Sequence, residues 1–111
     1  MKCISLALGS FALVALGLST ANAALDDASA DALMKKSGCS TCHALDKKLV
    51  GPNFKDVAAR RKAAPGAAAL LAKKVRSGSQ REYGPIPMPP NPEARISDAD
   101  LHDLVAWILS K

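Results

Sequence analysis

Two cysteines three residues apart, with a histidine directly after the second, constrain this chain more than anything else in it: Cys39-Ser40-Thr41-Cys42-His43. That order and spacing is the attachment signature of a c-type haem. Each thiol adds across one vinyl group, so two tethers on one short turn fix the porphyrin edge. The next residue is carried beneath the ring, which makes His43 the iron ligand. A disulfide between Cys39 and Cys42 is the competing reading for an exported chain. A thioredoxin-like redox pair belongs in a βαβ setting that the sequence does not supply, and zinc requires four ligands, usually through a second matching pair.

Residues 1–23 read as a secretory signal, with Lys2 as the positive start, an apolar stretch from Ile4 to Leu18, and Ala21-Asn22-Ala23 as the cleavage pattern. A membrane anchor is the weaker reading, because the stretch is short, carries serines and glycine, and ends at that pattern. Cys3 precedes the apolar stretch and leaves with the leader. The expected product is a soluble, exported single domain of 88 residues, 24–111, a size at which a core of side chains alone is marginal. Its aromatic residues are only Phe54, Tyr83 and Trp107, so a buried haem would supply apolar bulk that the side chains lack.

Loss of Lys2 takes the formal charge from +5 to +4. The remaining basic residues fall mostly in short clusters, Lys35-Lys36, Lys47-Lys48, Arg60-Arg61-Lys62 and Lys73-Lys74. Such clusters ordinarily mark a solvated face. The sharper reading is that the lysines flanking the motif ring an exposed haem edge and steer an acidic partner. Nothing favours nucleic-acid binding, since no aromatic residues interleave the charges and no binding motif is present.

No run alternates apolar and polar residues as a strand does, and helical signals recur, so the expected class is all-α with about four helices around one haem. A first helix is predicted over about 26–37, with acidic residues early and Lys35-Lys36 late, and Ser37-Gly38 as the stop. Shorter segments follow over 54–61 and from Pro65-Gly66 to Ser77-Gly78. Residues 78–95 hold five prolines and read as a stiff loop. The last helix opens at Ser97 as N-cap, with Leu101, Leu104, Val105 and Ile108 on one face and Trp107 at its flank, placed to pack on the first helix.

Met88 lies 45 residues after His43, within Gly84-Pro85-Ile86-Pro87-Met88-Pro89-Pro90-Asn91. A thioether is a weak neutral ligand, so it is held only where the backbone already aims the sulfur at the metal, and prolines on both sides remove that freedom in advance. Met88 is therefore the expected second iron ligand. Met34, on the helix leading into the motif, reads as core packing. His102, beside Asp103, reads as a surface residue.

With Cys39, Cys42, His43 and Met88 in place, residues 24–111 resemble the class I cytochromes c, specifically their short bacterial periplasmic members. The resemblance rests on the haem motif, Val50-Gly51-Pro52, Lys55-Asp56-Val57-Ala58, the proline-rich methionine loop and the closing Trp107-Ile108-Leu109. It implies the small cytochrome c fold. It also implies that the Pro52 carbonyl accepts a hydrogen bond from the non-ligating nitrogen of His43, and that Asn91 hydrogen-bonds near the Met88 sulfur. Lys74 and Tyr83 would approach a buried propionate, Tyr83 standing where the short family commonly has tryptophan.

A histidine–methionine iron site has no open position for substrate. The implied function is thus a monomeric periplasmic electron shuttle, not an enzyme, between a membrane donor such as a quinol-oxidising complex and a terminal reductase or oxidase. The rival is a haem protein whose Met88 leaves iron for gas binding or peroxide chemistry. For that, the loop offers no histidine and no evident arginine for acid–base work.

Overall fold

The computed structural model describes residues 24–111, and the leader expected over 1–23 lies outside the described residues. Four helices carry the fold: α1 (Asp27–Ser37), α2 (Phe54–Arg61), α3 (Ala67–Ser77) and α4 (Asp98–Leu109), with a 3₁₀ turn over Cys39–Thr41. Among the described residues the only strand-like pairing is an isolated antiparallel bridge between Ser79 and Met88. The all-α expectation holds.

Short polar side chains start three of the helices by accepting an otherwise unpaired backbone N–H. Asp26 accepts from Ser29 at 2.6 Å, Asn53 from Asp56 at 2.8 Å and Ser97 from Asp100 at 3.1 Å. Asp26 is therefore a cap rather than the first helical residue, and the Ser29 bond holds its carboxyl below the usual range. α3 begins at Ala67 rather than at Pro65-Gly66, because Gly66 stands just outside it in a left-handed turn.

α4 packs against α1, α2 and α3. Its stripe of Leu101, Leu104, Val105 and Ile108 is buried with Phe54, Val57, Leu71, Ile96 and Met34. Each such apolar side chain stabilises the fold by roughly 1.5–3 kcal/mol. Trp107 is buried too, edge-on to Phe54 at 6.0 Å, and its Nε1–H donates to Asp27 at 2.9 Å. Lys111 donates to the same Asp27 oxygen at 2.5 Å while lying over the indole. The two bonds, Lys111 first, depress the Asp27 carboxyl and tie the start of α1 to the end of α4.

The proline-rich segment is folded back onto α3 by Arg76. Its guanidinium donates to the carbonyls of Asn91 at 3.1 Å and Ile96 at 2.8 Å, and to Asp98 at 2.5 Å. Pro92 to Arg95 closes one turn, with Arg95 N–H on Pro92 O at 2.9 Å. No helix of the described residues is long and apolar enough to cross a membrane.

Candidate haem-binding site

The end of α1 delivers the motif. Gly38 closes the helix on Lys35, and the tight turn that follows places His43 N–H 3.0 Å from Cys39 O. Cys39 and Cys42 are half-buried free thiols, so the disulfide reading is set aside. His43 is locked from several sides. Its Nδ1–H donates to the Pro52 carbonyl at 2.8 Å, and a carbonyl can only accept, so Nε2 keeps its lone pair. One ring face stacks on Phe54 at 5.2 Å and 17°. The imidazole also lies so near Gly51 that a Cβ there would fall 2.6 Å from Cε1 and 2.9 Å from Nδ1, which excludes any larger residue without displacing the ring.

His43 opens onto a cavity of about 1100 Å³, its mouth included. Apolar side chains make most of the wall: Val57 from α2, Leu71 and Val75 from α3, Leu101, Leu104 and Ile108 from α4. Met88 stands in the same wall with Ile86, Pro87 and Pro89. Its backbone is fixed by Ser79, whose N–H donates to Met88 O at 3.1 Å and whose carbonyl accepts from Met88 N–H at 2.8 Å. Gly78 backs this bridge, and a Cβ there would fall 2.6 Å from Met88 O.

Of the residues singled out in the sequence, Cys39, Cys42, His43, Pro52, Lys74, Tyr83 and Met88 all line this one cavity. Asn91 does not. It is buried behind the loop, its amide donating to the carbonyls of Pro89 at 2.9 Å and Val75 at 3.3 Å rather than toward Met88 sulfur. Lys74 reaches the cavity with its ammonium given to the Glu82 carboxylate, which Arg61 shares. The Tyr83 hydroxyl and Arg61 Nε are buried without a hydrogen-bond partner among the described residues. Arg81, overlooked in the sequence, is also in the wall, although the residue is largely exposed. Met34 is core and His102 is on the surface, 3.2 Å from Asp103, as expected.

These features fit a haem. Two free thiols and a lone-pair nitrogen sit at one place, the walls suit a flat apolar body, and the unpartnered hydroxyl of Tyr83, a lining residue, suits an acidic substituent. Phe54, Gly51, Gly78, Arg76 and Glu82 shape the site and were not anticipated in those roles. Gly51 and Gly78 each adjoin a recognisable segment, whereas no local pattern marks Arg76 or Glu82.

The cytochrome c family model matches residues 28–111. The chain belongs to the cytochrome c family. Among its relatives, Pseudomonas aeruginosa cytochrome c-551 is 48% identical over 81 residues, 73% of this chain and 75% of that protein. Nitrosomonas europaea cytochrome c-552 is 45% identical over 103 residues, 93% of both chains. The crystal structure of wild-type Nitrosomonas europaea cytochrome c552 superposes with a TM-score of 0.67 at 45% identity, covering 72% of this chain and 96% of that one. A covalently bound haem c follows from the family.

Proposed function

We propose that the protein, cleaved after residue 23, is a soluble periplasmic electron carrier whose single haem is tethered through Cys39 and Cys42, with iron between His43 and Met88. The observation that carries this reading is the locked imidazole: a protonated Nδ1 on Pro52 and a free Nε2 at a cavity that also receives Met88. A haem held here supplies reversible one-electron chemistry at iron. The residues do the rest. Pro52 raises the donor strength of His43, the apolar walls exclude water and favour the reduced state, and Met88 as a neutral soft donor does the same. Phe54 and the Ser79 bridge hold both ligands in one geometry, which keeps reorganisation small.

Val50 and Ile86 line the cavity yet are 53% and 61% exposed, so they form an apolar rim at its mouth. The exposed Lys47 and Lys48 adjoin that rim in sequence. A small apolar contact surrounded by charges suits a partner that must leave after each transfer. The partners proposed are a quinol-oxidising membrane complex as donor and a terminal reductase or oxidase as acceptor.

The test is Met88→Ala in the holoprotein. The ferric wild type is expected to show the weak far-red sulfur-to-iron band. The variant should keep its covalent haem, lose the band, bind added imidazole and fall in potential by on the order of 0.1 V. An unchanged potential without imidazole binding would overturn the ligation.

A further inference from the structure

The stretch from Ser79 to Met88 is a loop held at two places. Its base is the backbone bridge described above, with bonds of 3.1 and 2.8 Å. Between the bridge residues there is no helix or strand, Arg81 occupies the left-handed region at φ 55°, and only Glu82 and Tyr83 are half-buried, the others being exposed. A non-glycine residue at positive φ persists only where its surroundings hold it there. What holds this one is the pair of inward side chains.

Tyr83 lies under the Arg60 guanidinium, 4.9 Å from ring centre to carbon. Glu82 does more, because its two oxygens face two cations on two helices: Arg61 at the end of α2 and Lys74 on α3. The three side chains are 18–28% exposed, so the pairs lie in a less screened setting than the surface pair of Lys35 with Asp31, where both partners are more than half exposed. One carboxylate thus joins the loop tip to two of the three helices that wall the cavity, six residues before Met88.

We infer that Glu82 is a positioning residue, an electrostatic latch that keeps the Met88 loop closed over the cavity; the inference rests on the proposed ligation of iron by Met88. The latch sets the fraction of molecules whose loop is open. An added ligand that competes with Met88 binds only that fraction, so its apparent affinity rises in proportion as the latch weakens.

The experiment is an imidazole titration of the ferric holoprotein. Glu82→Gln keeps the shape and removes the charge, and its imidazole dissociation constant is expected to fall about tenfold, with the far-red band still present before imidazole is added. Raising the ionic strength should tighten imidazole binding to the wild type and leave Glu82→Gln nearly unmoved. Should Glu82→Gln not accumulate as holoprotein, the wild-type salt series and Glu82→Asp, whose shorter arm should give an intermediate affinity, carry the same readout. Asp31→Asn, which breaks the exposed pair on α1, should leave the affinity within twofold.

A wild-type band together with an unchanged imidazole affinity in Glu82→Gln overturns the latch alone, even if the variant melts lower. An equal gain in Asp31→Asn does so too, since it would reduce the effect to net charge. A wild-type spectrum without the band overturns the ligation by Met88 and the latch with it.

Discussion

The histidine wall and the methionine wall of the cavity are held by different kinds of contact. Every constraint on His43 comes from residues 39–54: the attachment turn, the Pro52 carbonyl at 2.8 Å, the close approach of Gly51 and the Phe54 ring at 5.2 Å. Met88 depends on distant partners, with Ser79 at the base of its loop and Arg61 and Lys74 reaching its tip through Glu82. A short segment can orient a strong donor unaided. A weak donor needs tertiary contacts, and those give way first. The difference teaches where the site should open.

Removing both tethers attacks the comparison at its root. In Cys39→Ser/Cys42→Ser no haem should remain with the chain after denaturing electrophoresis, and circular dichroism should show loss of most helix, since both walls lose the body they pack on. Retained helical structure without haem would mean that the walls stand by themselves. A finer cut compares the two glycines. Gly78→Ala sets a Cβ 2.6 Å from the backbone oxygen of Met88 at φ +76°, and should cost about 3 kcal/mol and weaken the far-red band. Gly51→Ala meets the His43 ring edge without that backbone strain, and about 2 kcal/mol with the band retained is expected. Equal effects on the band in thermal and optical measurements would erase the distinction between the walls.

The smallest effect lies away from both. Lys111 and Trp107 depress the Asp27 carboxyl below its ordinary 3.8, so its contribution to stability is present above that pH and disappears as pH falls through the lower folded value. Asp27→Asn should therefore melt slightly below the wild type near neutrality and level with it in strong acid, the optical band unaffected at neutral pH in either protein. A gap that persisted in acid would assign the clamp to shape rather than charge.

Much of this was legible beforehand because it is local. The cap at Ser97, the stripe of α4, the bounds of α2 and the motif all express preferences settled within a few residues. The partners of Asn91 were not legible, for the opposite reason. Its amide had two equivalent ways to be satisfied when buried, near the sulfur or on the Val75 and Pro89 carbonyls, and only the fold of the loop onto α3 chose the second. That Lys74 also meets Glu82 was not legible, because nothing local shows that a carboxylate eight residues on comes back to it.

The sequence by itself determined the cofactor chemistry, since spacing along one turn suffices to place two thiols and a histidine. It also determined the helical class and the stiffness of the methionine loop, because periodicity, caps and proline act within a turn or two. Only the tertiary structure decided that one carboxylate spans two helices and that Asp27 ties the first helix to the last. Those outcomes depend on which surfaces meet across long stretches of chain, and side chains that are far apart in sequence carry no mark of the partner they will find.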